Sequence, residues 1–186
     1  QIAPAKIIKS TSNDKAPGDP IWNEDFTGGL PAGWTKGGTT NAGTDWVINA
    51  AAISAPFTNT GAIASTSGGN HMLYFAETIT PVADRDAWFQ TNAIAISGEP
   101  SVSVRFQHKF RMCCSGSASL ALVVSTDSTF ATNTQSYELR GGVAINASSA
   151  DPVTTSVNIS SIAGGLTGNI YLRFHWNMGA SHYYWM

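Results

Sequence analysis

The sequence predicts an all-β protein: an antiparallel β-sandwich of the jelly-roll kind, preceded by an extended N-terminal arm. Three observations carry this. Apolar and polar residues alternate over strand-length windows, most clearly at 101–110 (SVSVRFQHKF) and 170–176 (IYLRFHW). Gly, Ser, Asn and Pro punctuate the chain at intervals of roughly ten residues. No window carries a helical apolar stripe with caps at its ends. About ten short strands with short connections pack as two antiparallel sheets.

Residues 1–20 (QIAPAKIIKSTSNDKAPGDP) hold three prolines, three lysines and little periodicity, the pattern of an extended arm or linker. Within it Ile7 and Ile8 could pin the arm to a partner or to the domain's own sheet. The domain is expected to run from 21 to 186. It opens on 22–46, where a strand-like run ends at Asp25 and Phe26 and Gly28-Gly29 lets the backbone turn away through positive φ. Pro31 and Gly33 set the next turn. Trp22, Trp34 and Trp46 are large enough to anchor a sandwich core. Residues 50–70 are small, polar and turn-rich, and read as a long loop with one short strand.

Strands are expected at 71–76, 101–110, 119–125, 155–159 and 170–176. In the second of these Val102, Val104, Phe106, His108 and Phe110 share the core side, opposite Ser103, Arg105, Gln107 and Lys109. Likewise Ile170, Leu172, Phe174 and Trp176 face inward, and Tyr171, Arg173 and His175 outward. The run 182–186 (HYYWM) is strand-like up to Met186, so the reading expects a last strand completed by a longer polypeptide.

Composition narrows the chemistry. Ten Lys and Arg are scattered along a chain of net charge -2, so no basic stripe exists to neutralise nucleic acid. Apolar runs are strand-sized, well short of the ~18 residues that insert in a bilayer. Charged residues make up 12% of the chain, about half the usual share, and the hydroxyl-rich remainder suits an extracellular β-protein. The start at Gln1, with no basic leader, is read as a mature secreted chain. Cys113 and Cys114 are adjacent: two thiols on opposite sides of the chain, or a strained disulfide between neighbours in an oxidising compartment.

No catalytic constellation is expected. His71, His108, His175 and His182 lie in strand-like runs without a nucleophile turn and read as structural or surface histidines. Zinc motifs and phosphate-cradling loops are absent. Glu24 and Asp25, neighbours on the expected first strand, face opposite sides, which suits one metal ligand and one solvent-facing charge better than a glycosidase pair. Calcium takes six to eight oxygens, and the loop at 37–45, ending in Asp45, supplies them. Asp84-Arg85-Asp86 is a solvated turn with a local ion pair, or a second calcium contributor. Trp88, Trp176, Tyr183, Tyr184 and Trp185 are either core or a platform for sugar rings or a partner's pocket. Asn146-Ala-Ser148 and Asn158-Ile-Ser160 are glycosylation sequons.

In order, the motifs EDFTGGLPAGWT, GTDWVI, GGNHMLYF, DAWFQTNAIAISGEPSVSVRFQHKF, LALVVSTDSTF, VNISSIAGGLTGNIYLRFHW and HYYWM resemble the landmarks of the choice-of-anchor J and cleaved-adhesin domains, MAM-like jelly rolls of secreted Bacteroidota proteins. The resemblance covers 22–186. It implies a non-catalytic extracellular adhesion module of a larger surface or secreted protein, such as a gliding or attachment adhesin exported by the type IX system. The alternative is a carbohydrate-binding accessory domain of a secreted hydrolase. Implied partners are other domains or surface proteins of an assembly, and glycans; from the aromatics named above, Trp88 and Trp185 are the expected ligand-binding residues. The family commonly holds structural calcium between a first-strand acid and a closing Asp pair. Glu24 or Asp25 matches the first position and Asp45 falls near the second loop, whereas the sequence stops before the closing pair. Ser128-Thr129 stands where the family often has Gly-Gly, and Asp127-Ser128-Thr129 resembles that phylum's O-glycosylation pattern.

Overall fold

The computed structural model describes residues 18–38, 45–49, 53–54, 59–60, 62–66, 69–75, 85–112, 119–179 and 183–186. The arm at 1–17, Asp84, Cys113, Cys114 and His182 lie outside the described residues. In chain order the strands are β1 (Thr35–Gly37), β2 (Val47–Asn49), β3 (Ile53–Ser54), β4 (Asn59–Thr60), β5 (His71–Phe75), β6 (Arg85–Gln90) and β7 (Ile94–Ser97). There follow β8 (Ser103–His108), β9 (Phe110–Met112), β10 (Ser119–Ser125), β11 (Thr134–Glu138) and β12 (Val153–Asn158). One helical turn, α1 (Ser160–Ala163), precedes β13 (Thr167–Gly179) and β14 (Tyr183–Trp185).

These strands form an antiparallel β-sandwich. The main sheet has the order β1-β6-β13-β10-β11, with β7 paired to the first part of β13. The second layer is β2-β5-β14-β9; β8, which leads into β9 through Lys109, pairs with β12. Inner faces of both layers supply one core, with Phe89, Leu120, Leu122, Leu172 and Trp176 from the main sheet and Met72, Tyr74, Phe110, Met112 and Trp185 from the other. Trp46 sits at its centre, its ring 4.7 Å from Phe89, 5.2 Å from Trp185 and 5.6 Å from Tyr74. Aromatic pairs at such spacings add to the area they bury.

Strand parity is as expected on β13: Ile170, Leu172 and Trp176 are buried, and Tyr171, Arg173 and His175 lie on the outer face. The strand is longer than the apolar run because it is shared. Its first residues pair with β7 and the later ones with β6 and β10.

Several expectations are corrected. Residues 22–26 form no strand. The Glu24 carboxylate instead accepts the Phe26 N–H at 2.6 Å, and Asp25 accepts the Thr27 N–H at 2.9 Å. Short acidic side chains here take the backbone donors that a ladder would need. Trp22 is 38% exposed, stacked at 5.9 Å on the buried Trp34. Lys109, placed by parity among solvent-facing residues, is 7% exposed. The β8–β9 break turns it inward, where its backbone exchanges both hydrogen bonds with Met186 and its Nζ reaches Asp151 at 2.7 Å. The loop at 50–70 holds two short strands, β3 and β4, paired with each other.

Candidate functional site

On the outer face of the main sheet, the register of β6 against β13 sets Asp86 beside Asn177, Trp88 beside His175, and Gln90 beside Arg173. Side chains on paired strands directly opposite one another are in contact range, and here they form a connected group. The Arg173 guanidinium lies over the Trp88 ring at 4.1 Å and over the Phe130 ring at 4.0 Å. Its Nη2 and Nε donate to Gln90 Oε1 at 2.7 and 3.2 Å. His175 Nε2 meets Asp86 Oδ1 at 2.7 Å. Burial pushes the Arg173 guanidinium below its ordinary pKa, and the Asp86 charge acts in the opposite direction.

Local sequence explains how each piece is held. Gly37, paired with Trp88, leaves room for the indole, since a Cβ there would collide with Trp88 Cζ2. Phe130 comes from the β10–β11 turn. That turn is organised by Asp127, whose carboxylate accepts from the Thr129 N–H and hydroxyl, from the Ala131 N–H, and from the Thr132 N–H and hydroxyl. Those bonds, the Thr129 N–H foremost, pull the Asp127 carboxyl down to about 2. Gln90 Nε2 donates to Ser128 O at 3.1 Å, so the same amide docks the turn over the sheet.

Of the two tryptophans expected to bind ligand, Trp88 belongs to this face and Trp185 does not. Trp88 is half-buried, and one ring face carries the guanidinium, so what it offers is an edge beside a stacked cation rather than a bare platform. Trp185 is 2% exposed and donates its indole N–H to His108 Nδ1 at 3.2 Å. Trp176 and Tyr184 are core residues as well. Burying these aromatics saves more apolar area than a surface platform would.

The carboxylates expected to hold calcium are otherwise engaged. Glu24 and Asp25 each close a turn on their own backbone. Asp45 takes Lys36 Nζ at 2.5 Å and the Trp46 N–H at 2.7 Å. Among the described residues no three His, Cys, Asp or Glu side chains come together as a metal-ligand group. As placed, Glu24, Asp25 and Asp45 do not come together as one group of ligands.

Of the described histidines, His108 has the nearest hydroxyl chemistry. Its Nε2 lies 2.9 Å from Thr155 Oγ1. An indole N–H can only donate, so the Trp185 bond makes Nδ1 the acceptor and leaves the proton on Nε2. His108 therefore donates to Thr155 and cannot act as its base. A groove of about 640 Å³ opens elsewhere, between the edge strands β11 and β12, lined by residues such as Tyr137, Leu139, Arg140, Val143, Val153 and Val157. Glu138, also in its lining, accepts the N–H groups of Leu120 and Arg140.

No protein-family model matches the sequence, and no curated protein matches it. Among solved structures, the chain resembles the K1 cleaved adhesin domain of Lys-gingipain from Porphyromonas gingivalis W83, at 18% identity and TM-score 0.54, over 87% of this chain and 90% of that one. The K3 cleaved adhesin domain of the same protein is similar at 16% identity and TM-score 0.53, over 89% and 92%. A carbohydrate-binding module solved with β-1,4-galactotriose shares an outline at 14% identity and TM-score 0.46, over 86% of each chain. At these identities the likeness is one of fold.

Proposed function

We propose that this chain is a non-catalytic extracellular binding module of a larger secreted or cell-surface protein, in the choice-of-anchor J and cleaved-adhesin group, and that it engages its partner through the outer face of the main sheet. The observation that carries this reading is the Trp88–Arg173–Phe130 stack with Gln90 and the His175–Asp86 pair beside it. Side chains already fixed by one another on doubly paired strands lose little further freedom on binding. The adhesin fold of the two Lys-gingipain domains supports the class. The His108 tautomer and the turn-closing carboxylates support a module without acid–base catalysis. An adhesin of a gliding or attachment apparatus, exported by a type IX route, is the concrete form the sequence resemblance gives it.

The second reading, a carbohydrate-binding accessory domain of a secreted hydrolase, is favoured by the chemistry of the same face. A planar amide, a carboxylate and a guanidinium beside aromatic rings are the groups that pair with sugar hydroxyls. Arrays of glycans and of extracellular proteins, probed with the whole chain and with Trp88→Ala, test both. Binding lost in the variant supports use of this face, and the spotted class that binds chooses between the readings. A parent that binds nothing removes both. Structural calcium at Glu24, Asp25 and Asp45 stays a proposal from the resemblance. A melting midpoint lowered by chelator supports it, and an unchanged midpoint removes it, because a ligand bound only to the folded state must stabilise it.

A further inference from the structure

Among the described residues the Arg173 guanidinium on the outer face makes no ion pair. Arg173 spends Nε and Nη2 on the neutral amide oxygen of Gln90. Among the described residues the ion pairs are Lys36–Asp45, Lys109–Asp151 and His175–Asp86, so Asp86, whose charge acts on Arg173, also pairs with His175. The Trp88 and Phe130 rings, 4.1 and 4.0 Å from the guanidinium carbon, and the two bonds to Gln90 hold the group in place. Its outer end remains: among the described residues Nη1 makes no hydrogen bond and is not a buried atom, and Nη2 has a second N–H. Two parallel N–H donors in a fixed plane match a carboxylate, and partial desolvation by the rings strengthens such a pair.

We propose that this face binds an acidic sugar, a hexuronate-containing glycan whose carboxylate pairs end-on with Arg173 while its hydroxyls meet Gln90 and the His175–Asp86 pair. The inference rests on the reading of this face as the binding surface. A sugar is favoured over a peptide strand by the position of the site. Strand β13 is paired on both sides by β6 and β10, and β6 by β1 and β13. Their backbone groups are used in ladders, so the face presents side chains only. A peptide adding by strand pairing needs an open edge, which among the described residues this sheet offers at β1 and β11, not at β6 or β13, whose side chains make the site.

The test is calorimetric titration of the whole chain with α-1,4-oligogalacturonate and with its methyl ester, which has the same ring hydroxyls and no free carboxylate. Oligoalginate and hyaluronan oligosaccharides extend the uronate panel. At least one uronate probe is expected to bind, with the galacturonate about tenfold or more tighter than its ester if it is the one bound. Arg173→Gln is expected to abolish the binding or the preference at an unchanged melting midpoint. Arg173→Lys, which keeps the charge and loses the fork, is expected to weaken it less and serves if the Gln variant fails to fold. Equal affinity for acid and ester, or binding unaffected by both Arg173 variants, overturns the inference. So does a panel with no binder, which leaves the binding-module reading to the wider arrays.

Discussion

Trp185 donates its indole N–H to Nδ1 of His108, and this bond decides the chemistry of both residues. Burial depresses the His108 pKa from 6.5 to about 4, so the folded state holds the ring neutral where the unfolded chain protonates it. Stability is then complete above the unfolded value and falls as pH drops through 6.5 toward 4, at about 1.4 kcal/mol per pH unit and up to roughly 3 kcal/mol in all. Urea unfolding across that range is expected to show the decline. His108→Gln, which can still accept from Trp185 and donate to Thr155, is expected to flatten it; parallel slopes would refute the assignment. His71, also lowered chiefly by burial, leaves a residual slope of the same sign. Among the tryptophans, Trp46→Ala is expected to cost about 3–5 kcal/mol in the same assay. Trp22→Ala, removing one exposed stacking contact, is expected to cost about 1 kcal/mol. Equal losses would contradict the exposure difference. At this scale the sequence was informative about Trp34, Trp46 and the inward side of β13. It misplaced Trp22, Trp185 and Lys109, because residue type and parity do not reveal where a strand breaks or what covers it.

Among the elements, β1 has only three residues, and its docking on β6 depends on its glycines. The Trp88 ring lies against Gly37, and Gly38, at φ 123, has the backbone oxygen of Asp86 where a Cβ would stand. Gly37→Ala is expected to push the indole off the face at a cost of about 1–3 kcal/mol, with a change in near-ultraviolet circular dichroism. An unchanged spectrum and midpoint would refute that packing. The β10–β11 turn is a second test. Asp127→Ala removes the acceptor for five donor groups around the turn and is expected to lower amide protection at 128–133 while β13 stays protected. Strands β8 and β13 were legible because apolar and polar residues alternate along them, and β5 and β10 because each is a short, almost wholly buried apolar run. Strand β11 was not, since Thr134, Ser136 and Glu138 are exposed and only Gln135 and Tyr137 turn partly inward. Residues 22–26 misled for the opposite reason: a strand-like composition whose acids satisfy the local backbone.

For the whole molecule, alternation says which side of a strand faces out but not which strand lies beside it. Arg173 and His175 were assigned outward from the sequence alone. Their partners Gln90, Trp88 and Asp86 became visible only with the β6–β13 register, across more than eighty positions of chain. Phe130 was invisible for the same reason, being brought over the face by a turn whose geometry depends on Asp127. Binding is proposed to use this outer face and not the exposed Trp22. The most direct measurement is array binding by the whole chain, by Trp88→Ala and Gln90→Ala on the face, and by Trp22→Ala away from it, each checked for its melting midpoint. The expected result is binding by the parent and by Trp22→Ala, and loss in both face variants while they remain folded. Undiminished binding by the folded face variants, or its loss in Trp22→Ala alone, would contradict the account.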